Sequence, residues 1–296
     1  MSDSRAHLLT GEELTAGDLS ELLARAAQLK ADPLGSGALR GKSVALIFDQ
    51  PSTRTRVSFE AGIHELGGHA IVLRGEEMQL SRGESLRDTA YVLSRHACAI
   101  GVRTGPHAVA RELADAATVP VINMLTADHH PCQALADLLT LQEAFGGLDG
   151  LKLAYVGDGN NVARSLAILG AAAGVRVTVA APEGFQLAPV ANAELTDDPV
   201  AAASGADALY TDVWVSMGDD PTQAGERRAA LAGYRLDEAL LEHAKPTAIV
   251  LHCLPAHPGE EISEGLLYGD RQRIWDQAEN RRHAQKALLE RLVSTV

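Results

Sequence analysis

Val44-Ala45-Leu46-Ile47-Phe48-Asp49-Gln50-Pro51-Ser52-Thr53-Arg54-Thr55-Arg56 carries the chain from an apolar, strand-like run into a helix-like stretch that ends near Leu66. A strand that stops at a helix N-terminus leaves backbone N–H groups pointing outward, and the helix dipole there favours negative charge. A tetrahedral oxyanion at that junction would find donors already aimed at it. The hydroxyls of Ser52, Thr53 and Thr55 add neutral donors, and Arg54 adds a planar fork able to hold two oxygens at once. The same letters also describe a capped helix bearing surface arginines, and the remainder of the chain decides between the two.

Upstream, Asp18 to Lys30 places Leu19, Leu22, Leu23, Ala26 and Leu29 at helical spacing, and the Gly- and Pro-containing stretch 33–41 ends it. Downstream, Gly67-Gly68 closes the helix that follows Ser52, and a short strand at Ala70–Leu73 completes one βαβ unit. Gly75 to Gly83 reads as a polar loop. It is followed by a helix from Glu84 to His96, a strand from Cys98 to Val102, a helix over His107–Ala116 and a strand over Val119–Asn123. Pro131 suits the first position of a helix running to about Phe145. After Gly146-Gly147-Leu148-Asp149-Gly150 the alternation resumes with strand Leu151–Val156, a turn at Gly157–Asn161, a helix to about Ala173 and strand Val175–Ala180. Ala208–Asp212 and Ala248–Leu251 read as further buried strands, and Arg273–Val296 closes the chain mainly as helix.

This pattern predicts an α/β protein of two doubly wound domains, each with a central parallel sheet flanked by helices. The expected domains are 1–146, joined by a C-terminal helix 276–296 returning to the first domain, and 147–275. Arg54, Arg103, His130, Asn161, Asp212 and Cys253 all fall just beyond strand C-termini, where open α/β sheets place their ligands.

Composition narrows the function classes. At 296 residues the chain can build two domains with substantial cores, and 46% apolar residues with only 4% aromatics suit alternating helices and parallel strands. A net charge of -13 argues against nucleic acid or an acidic membrane as partner, because both would repel the chain. The 3 cysteines, Cys98, Cys132 and Cys253, are widely spaced and lack CxxC spacing, so neither a disulfide framework nor a zinc site is indicated. No apolar run reaches transmembrane length and the polar N-terminus has no signal-peptide core, which together predict a cytoplasmic protein. Gly157-Asp158-Gly159-Asn160-Asn161 suggests a dinucleotide turn but lacks the third glycine at its place, and metal-site spacings such as HExxH are absent, so no cofactor or metal is expected.

Five segments, Ser52-Thr53-Arg54-Thr55-Arg56, His130-Pro131-Cys132-Gln133, Asp212-Val213-Trp214-Val215-Ser216-Met217-Gly218, His252-Cys253-Leu254-Pro255 and Ala278-Glu279-Asn280-Arg281, occur in the order found in the aspartate/ornithine carbamoyltransferase family, which the chain resembles over nearly its whole length. The Ser-Met-Gly and His-Cys-Leu-Pro segments place the resemblance on the ornithine side of that family. It implies transfer of a carbamoyl group from carbamoyl phosphate to the δ-amine of L-ornithine, giving L-citrulline and phosphate. The alternatives are a transferase for another amine, such as acetylornithine or a diamine, and a non-catalytic regulatory paralogue.

By resemblance, Ser52, Thr53, Arg54 and Thr55 hold the phosphate and Arg103 bridges phosphate and carbonyl, with Arg281 returning to the same anion from the last helix. His130 would donate to the carbonyl oxygen, and Gln133 and the backbone carbonyls of Cys253 and Leu254 would take the carbamoyl NH2. Asp212 and Ser216 suit the α-ammonium of ornithine, Asn161 and the Met217 backbone N–H its carboxylate, and Cys253 the proton of the δ-amine. Arg54, Arg103, His130 and Cys253 are thus the expected catalytic residues. The family's trimeric assembly further implies that Gln79, in the 75–83 loop, reaches a neighbour's carbamoyl-phosphate site.

Overall fold

A computed structural model describes residues 7–191, 193–216 and 219–294. The chain divides into two compact units, one formed by 1–136 with 279–296 and the other by 137–278. The division falls inside the helices α5 and α11 defined below.

In the first unit the elements run α1 (Ala16–Ala31), β1 (Ser43–Phe48), α2 (Thr53–Glu65), β2 (His69–Arg74), α3 (Leu86–Leu93), β3 (Ala99–Arg103), α4 (His107–Ala116), β4 (Val121–Leu125) and the start of α5 (Pro131–Phe145). The sheet is parallel with order β2-β1-β3-β4. The chain therefore steps from β1 to one side and then crosses to the other, which makes the C-terminal edge between β1 and β3 the switch point, the place where ligands bind in open α/β sheets. Ala45, Ile47, Ile100, Val102 and Val121 form one buried layer against Ala90, Ala110 and Leu113 from α3 and α4. A side chain at Gly101 would meet Leu46 Cδ2 and Met124 Sδ at 2.9 Å, so glycine at the centre of β3 lets those two side chains close over the strand.

The last part of α11 (Ile274–Ser294) belongs to this unit and is fastened to its first two helices. Arg25 forks onto Glu290 at 2.7 and 3.0 Å, and Lys30 Nζ donates to Asn280 Oδ1 at 2.8 Å. Lys286 is fully buried, and its ammonium donates to the carbonyls of Leu29 and Pro33 and to Glu65 at 3.0, 3.1 and 2.5 Å. Three acceptors match the three protons of an ammonium, which is what makes burial of this charge tolerable.

The second unit runs β5 (Lys152–Val156), α6 (Asn161–Ala172), β6 (Arg176–Ala180), β7 (Glu194–Thr196), α7 (Pro199–Ala203), β8 (Ala208–Thr211), α8 (Ala224–Leu231), α9 (Glu238–Leu241), β9 (Ile249–His252), α10 (Glu264–Tyr268) and the start of α11. Its parallel sheet has order β7-β6-β5-β8-β9, with the switch point between β5 and β8. Ala154, Val156, Leu209 and Val250 pack with Leu236, Leu240, Ile262, Leu266 and Ile274 in its core.

The sequence predicts α/β with two parallel sheets, and that is the fold. Three local features differ from that reading. β4 starts at Val121 instead of Val119 because Pro120 has no N–H to give a ladder. The edge strand β7, with Glu194 and Thr196, lacks the apolar run that marks a buried strand. The 75–83 loop carries two short 3-10 turns, Gly75–Glu77 and Gln79–Arg82. No helix among the described residues is long and apolar enough to cross a membrane.

Candidate active site

The first unit presents its chemistry at the β1/β3 switch point. Ser52 is the N-cap of α2, its hydroxyl accepting from Thr55 N–H at 3.3 Å, so the free N–H groups of the first turn face the C-terminal edge of the sheet. Thr53 is exposed and Arg54 half-buried, whereas Thr55 is 0% exposed. The Thr55 hydroxyl is a meeting point. Arg281 Nη2 donates to it at 2.7 Å and Arg103 Nη1 at 3.4 Å, from the last helix and from the final residue of β3 respectively.

His130 and Gln133 are buried at the start of α5, with the Gln133 N–H donating to the His130 carbonyl at 3.0 Å. The His130 imidazole is held neutral, well below its ordinary range, by burial and by the positive charges of Arg281, Arg103 and Arg54. Three guanidiniums, a helix N-terminus and a buried neutral imidazole make a cradle suited to an oxyanion and unable to hold a cation. Cys132, next in sequence, points elsewhere. Its thiol donates to the Asn123 carbonyl at 3.4 Å, and burial pushes its pKa up to about 12.

Gln79 opens the second 3-10 turn and is exposed, and its side chain makes no hydrogen bond among the described residues.

In the second unit the expected residues gather at the β5/β8 switch point and the neighbouring end of β9. Asp212 follows β8 directly and is buried, and Cys253 follows β9. Cys253 Sγ donates to Asp212 Oδ1 at 2.6 Å, and the same oxygen accepts Val213 N–H at 2.8 Å. Leu254 has φ 61, an uncommon left-handed conformation for leucine, and its N–H donates to His252 Nδ1 at 2.8 Å. Asn161 is the half-buried first residue of α6. Ser216 lies in a turn where its N–H donates to Asp219 Oδ2 at 2.6 Å. Met217 lies outside the described residues.

Several residues that organise this site were not singled out by the sequence reading. Asn160 caps α6, its Oδ1 accepting from Val162 and Ala163 N–H at 2.9 and 3.2 Å and from the Tyr155 hydroxyl at 3.2 Å. Those three donors fix the amide so that Nδ2 points at Asp212 Oδ2, 2.8 Å away. Burial, with help from Asp212 and Cys253, raises the Tyr155 pKa well above the phenol range, so it stays a donor. Asn-Asn before an apolar helix is an N-cap signal, and the cap rule would have found Asn160.

Arg227 on α8 donates to Asp158 at 2.6 Å and to the Trp214 carbonyl at 2.9 Å, and it pairs with Asp219 at 3.3 Å. One guanidinium thus ties the turn after β5 to the segment carrying Ser216. Asp158 nonetheless has a raised pKa, because its burial outweighs the attraction of Arg227. Gln277 closes the floor, accepting from His252 N–H at 3.0 Å and donating to Asp137 at 2.7 Å and to the Tyr210 hydroxyl at 3.1 Å.

A carboxylate that accepts a thiol proton beside an amide and a turn can hold an ammonium and move a proton at an amine. Asp212, His252 and Cys253 each offer a metal-ligand atom within 4.8 Å of the others. Both His252 ring nitrogens are engaged, however, Nδ1 by Leu254 N–H and Nε2 by Glu261 at 3.1 Å, so this group is not arranged as a ligand set. None of the three cysteines forms a disulfide.

Two family models match the chain in sequence order. The aspartate/ornithine carbamoyltransferase carbamoyl-P binding domain matches residues 6–143, and the Asp/Orn binding domain of the same family matches residues 149–292. An ornithine carbamoyltransferase of Acidothermus cellulolyticus is 54% identical over 96% of this chain and 95% of its own length. One from Bacillus subtilis is 46% identical over 97% and 93%. The crystal structure of ornithine carbamoyltransferase from Thermus thermophilus superimposes with a TM-score of 0.91 at 44% identity, covering 97% of this chain and 98% of that one. With both halves matched in order, and with relatives alike from end to end, the chain belongs to the aspartate/ornithine carbamoyltransferase family.

Proposed function

We propose that this protein transfers the carbamoyl group of carbamoyl phosphate to the δ-amine of L-ornithine, releasing L-citrulline and phosphate. The observation that carries the reading is the convergence of Arg281 and Arg103 on the buried Thr55 hydroxyl, with His130 kept neutral in their field. Such a cradle suits a phosphate dianion next to a carbonyl that becomes an oxyanion. The first unit binds carbamoyl phosphate. Ser52, Thr53, Arg54, Thr55 and Arg281 take the phosphate, Arg103 spans phosphate and carbonyl, His130 donates to the carbonyl oxygen, and Gln133 accepts from the carbamoyl NH2.

The second unit binds ornithine. Asp212 and Ser216 receive the α-ammonium and Asn161 and Met217 the carboxylate, while Cys253, as the thiolate left once its proton has passed along the hydrogen bond to Asp212, accepts the proton that the δ-amine must lose. The amine lone pair forms the new C–N bond, the C–O bond to phosphate breaks, and the phosphate leaves with that electron pair while the cradle's positive charge disperses it.

The working assembly is a cytoplasmic homotrimer in which Gln79 serves a neighbouring subunit's carbamoyl-phosphate site. Its exposure and its lack of a side-chain partner within the described residues support this role. The decisive experiment is product formation by purified protein given carbamoyl phosphate and a panel of L-ornithine, acetylornithine, putrescine and L-aspartate. Citrulline from ornithine is expected, and turnover of another amine with none of ornithine overturns the reading. For Gln79, Arg54→Ala and Gln79→Ala chains, each nearly inactive alone, are mixed and allowed to exchange subunits. Roughly one quarter of sites should recover if cyclic symmetry sets the contacts, and no recovery despite verified exchange refutes the shared site.

A further inference from the structure

Beyond the substrate site, His257, Glu260 and Glu261 each present one ligand atom within 4.8 Å of the others. They lie on the turn His257-Pro258-Gly259-Glu260-Glu261, where Glu260 N–H donates to the His257 carbonyl at 2.9 Å and Gly259 adopts φ 90, a conformation open to glycine. Glu261 is 0% exposed. One of its oxygens, Oε1, accepts His252 Nε2–H at 3.1 Å and His257 N–H at 2.5 Å. These two donors fix the carboxylate plane and turn Oε2 toward the His257 ring. Oε2 is buried and accepts no hydrogen bond among the described residues, an arrangement that is costly for a carboxylate oxygen unless a positive charge stands beside it.

His257 Nδ1 lies 3.7 Å from Oε2. That distance is too long for a hydrogen bond, but it is close to the separation of roughly 3.3–3.5 Å between two ligand atoms on a tetrahedral ion with bonds of about 2.0–2.1 Å. Glu260 completes the set and is held by Arg228 at 2.9 Å, a half-exposed pair that gives way at small cost.

We propose that this turn binds a divalent first-row transition cation through His257 Nδ1, a Glu260 carboxylate oxygen and Glu261 Oε2, with water completing the shell. One imidazole and two carboxylates suit Mn2+ or Zn2+ and carry no thiolate that would select a softer ion. The ion enters as its hydrated form and exchanges waters for these atoms, and any proton on His257 is released to solvent. Through Glu261 and His252 it would brace the backbone that leads into and out of Cys253.

The probe is Mn2+ alone, titrated into chelator-treated full-length protein and followed by electron paramagnetic resonance, because Mn2+ disfavours the thiol of the Asp212 group. One ion per chain is expected, weakened at least about tenfold by His257→Ala and by Glu261→Gln and left unchanged by Cys253→Ser. His257 is 50% exposed in its side chain and its N–H survives the change to alanine, so this variant decides the matter even where Glu261→Gln folds poorly. Equal affinity in His257→Ala, no binding to the unaltered chain up to roughly 1 mM, or loss of binding in Cys253→Ser each overturns the proposal.

Discussion

Thr55→Val removes one oxygen from the centre of the anion cradle and little else. The side chain is fully buried, and valine keeps its shape while losing the acceptor that Arg281 meets at 2.7 Å and Arg103 at 3.4 Å. Only the shorter contact counts as a strong bond. A hydrogen bond to a charged donor contributes about 1.5–3 kcal/mol, so the folded protein should lose that much, visible as a thermal midpoint several degrees lower. The same hydroxyl is the proposed donor to the phosphate. kcat/KM for carbamoyl phosphate should therefore fall by roughly 10- to 150-fold at about 1.4 kcal/mol per decade, with KM for ornithine little changed. Initial rates of citrulline formation under variation of each substrate separate the two constants, and Thr55→Ser, which restores the hydroxyl, should recover most of the loss. A Thr55→Val protein with unaltered midpoint and unaltered kcat/KM would show that the arginines hold their positions without Thr55, and the cradle argument would fail.

Stability should fall below neutral pH. His130, His107 and His283 all have lowered pKa values, chiefly from burial, so below about pH 6.5 the unfolded chain binds protons that the folded chain refuses. Their contribution is fully present above that pH and is lost as pH falls toward the folded values, with a slope approaching about 1.4 kcal/mol per pH unit for each histidine. Urea midpoints at pH 7.5 and 5.5 measure it, His130→Gln should reduce it, and equal midpoints would contradict it. Cys132, buried with its pKa pushed up to about 12, should resist iodoacetamide in the folded protein and react only on unfolding; mass spectrometry of native-labelled peptides checks this, and rapid native labelling would mean the site is open. Asn160→Ala should cost about 1 kcal/mol as a lost cap and raise KM for ornithine while leaving KM for carbamoyl phosphate in place. Asn160→Asp keeps the cap but sets a carboxylate against Asp212, so it should regain stability without regaining ornithine affinity.

The strand ends were readable because anion and ammonium chemistry dictates residue type, and parallel strands deliver their last residues to one edge. Arg103 as the final residue of β3, and Asp212 and Cys253 directly after β8 and β9, follow from apolar runs that stop at a functional group. Helices α4 and α5 begin where prolines force them to, after Pro106 and at Pro131. The supporting residues were not readable in the same way. Asn160 acts through Asp212, 52 positions away, and Arg227 through Asp158, 69 positions away. The cap signal marks Asn160 as the start of α6 but announces no distant partner, and an isolated Arg on a helix has its ordinary surface role as the simplest explanation. Only the fold, by bringing the turn after β5 beside the segment after β8, gives these side chains something to hold.

The fastening of α11 to α1 and α2 also sets an order of events during synthesis. Arg25 finds Glu290 across 265 positions and Lys286 finds Glu65 across 221. A ribosome making this chain therefore releases α1 and α2 long before the helix that covers them exists. All of Asp137–Ala278 must be translated in the interval, which takes on the order of ten to thirty seconds at typical elongation rates. During that time Gly62, whose surface Lys286 will cover at close range, and the acceptors at Leu29, Pro33 and Glu65 face water. The second unit, contiguous in sequence, is free of this delay and can complete itself while the first still waits for its final helix. Chains cut short in α11 just past Ala278 would consequently carry a finished second unit and an unfinished first one, and quality control would meet them as partly folded species.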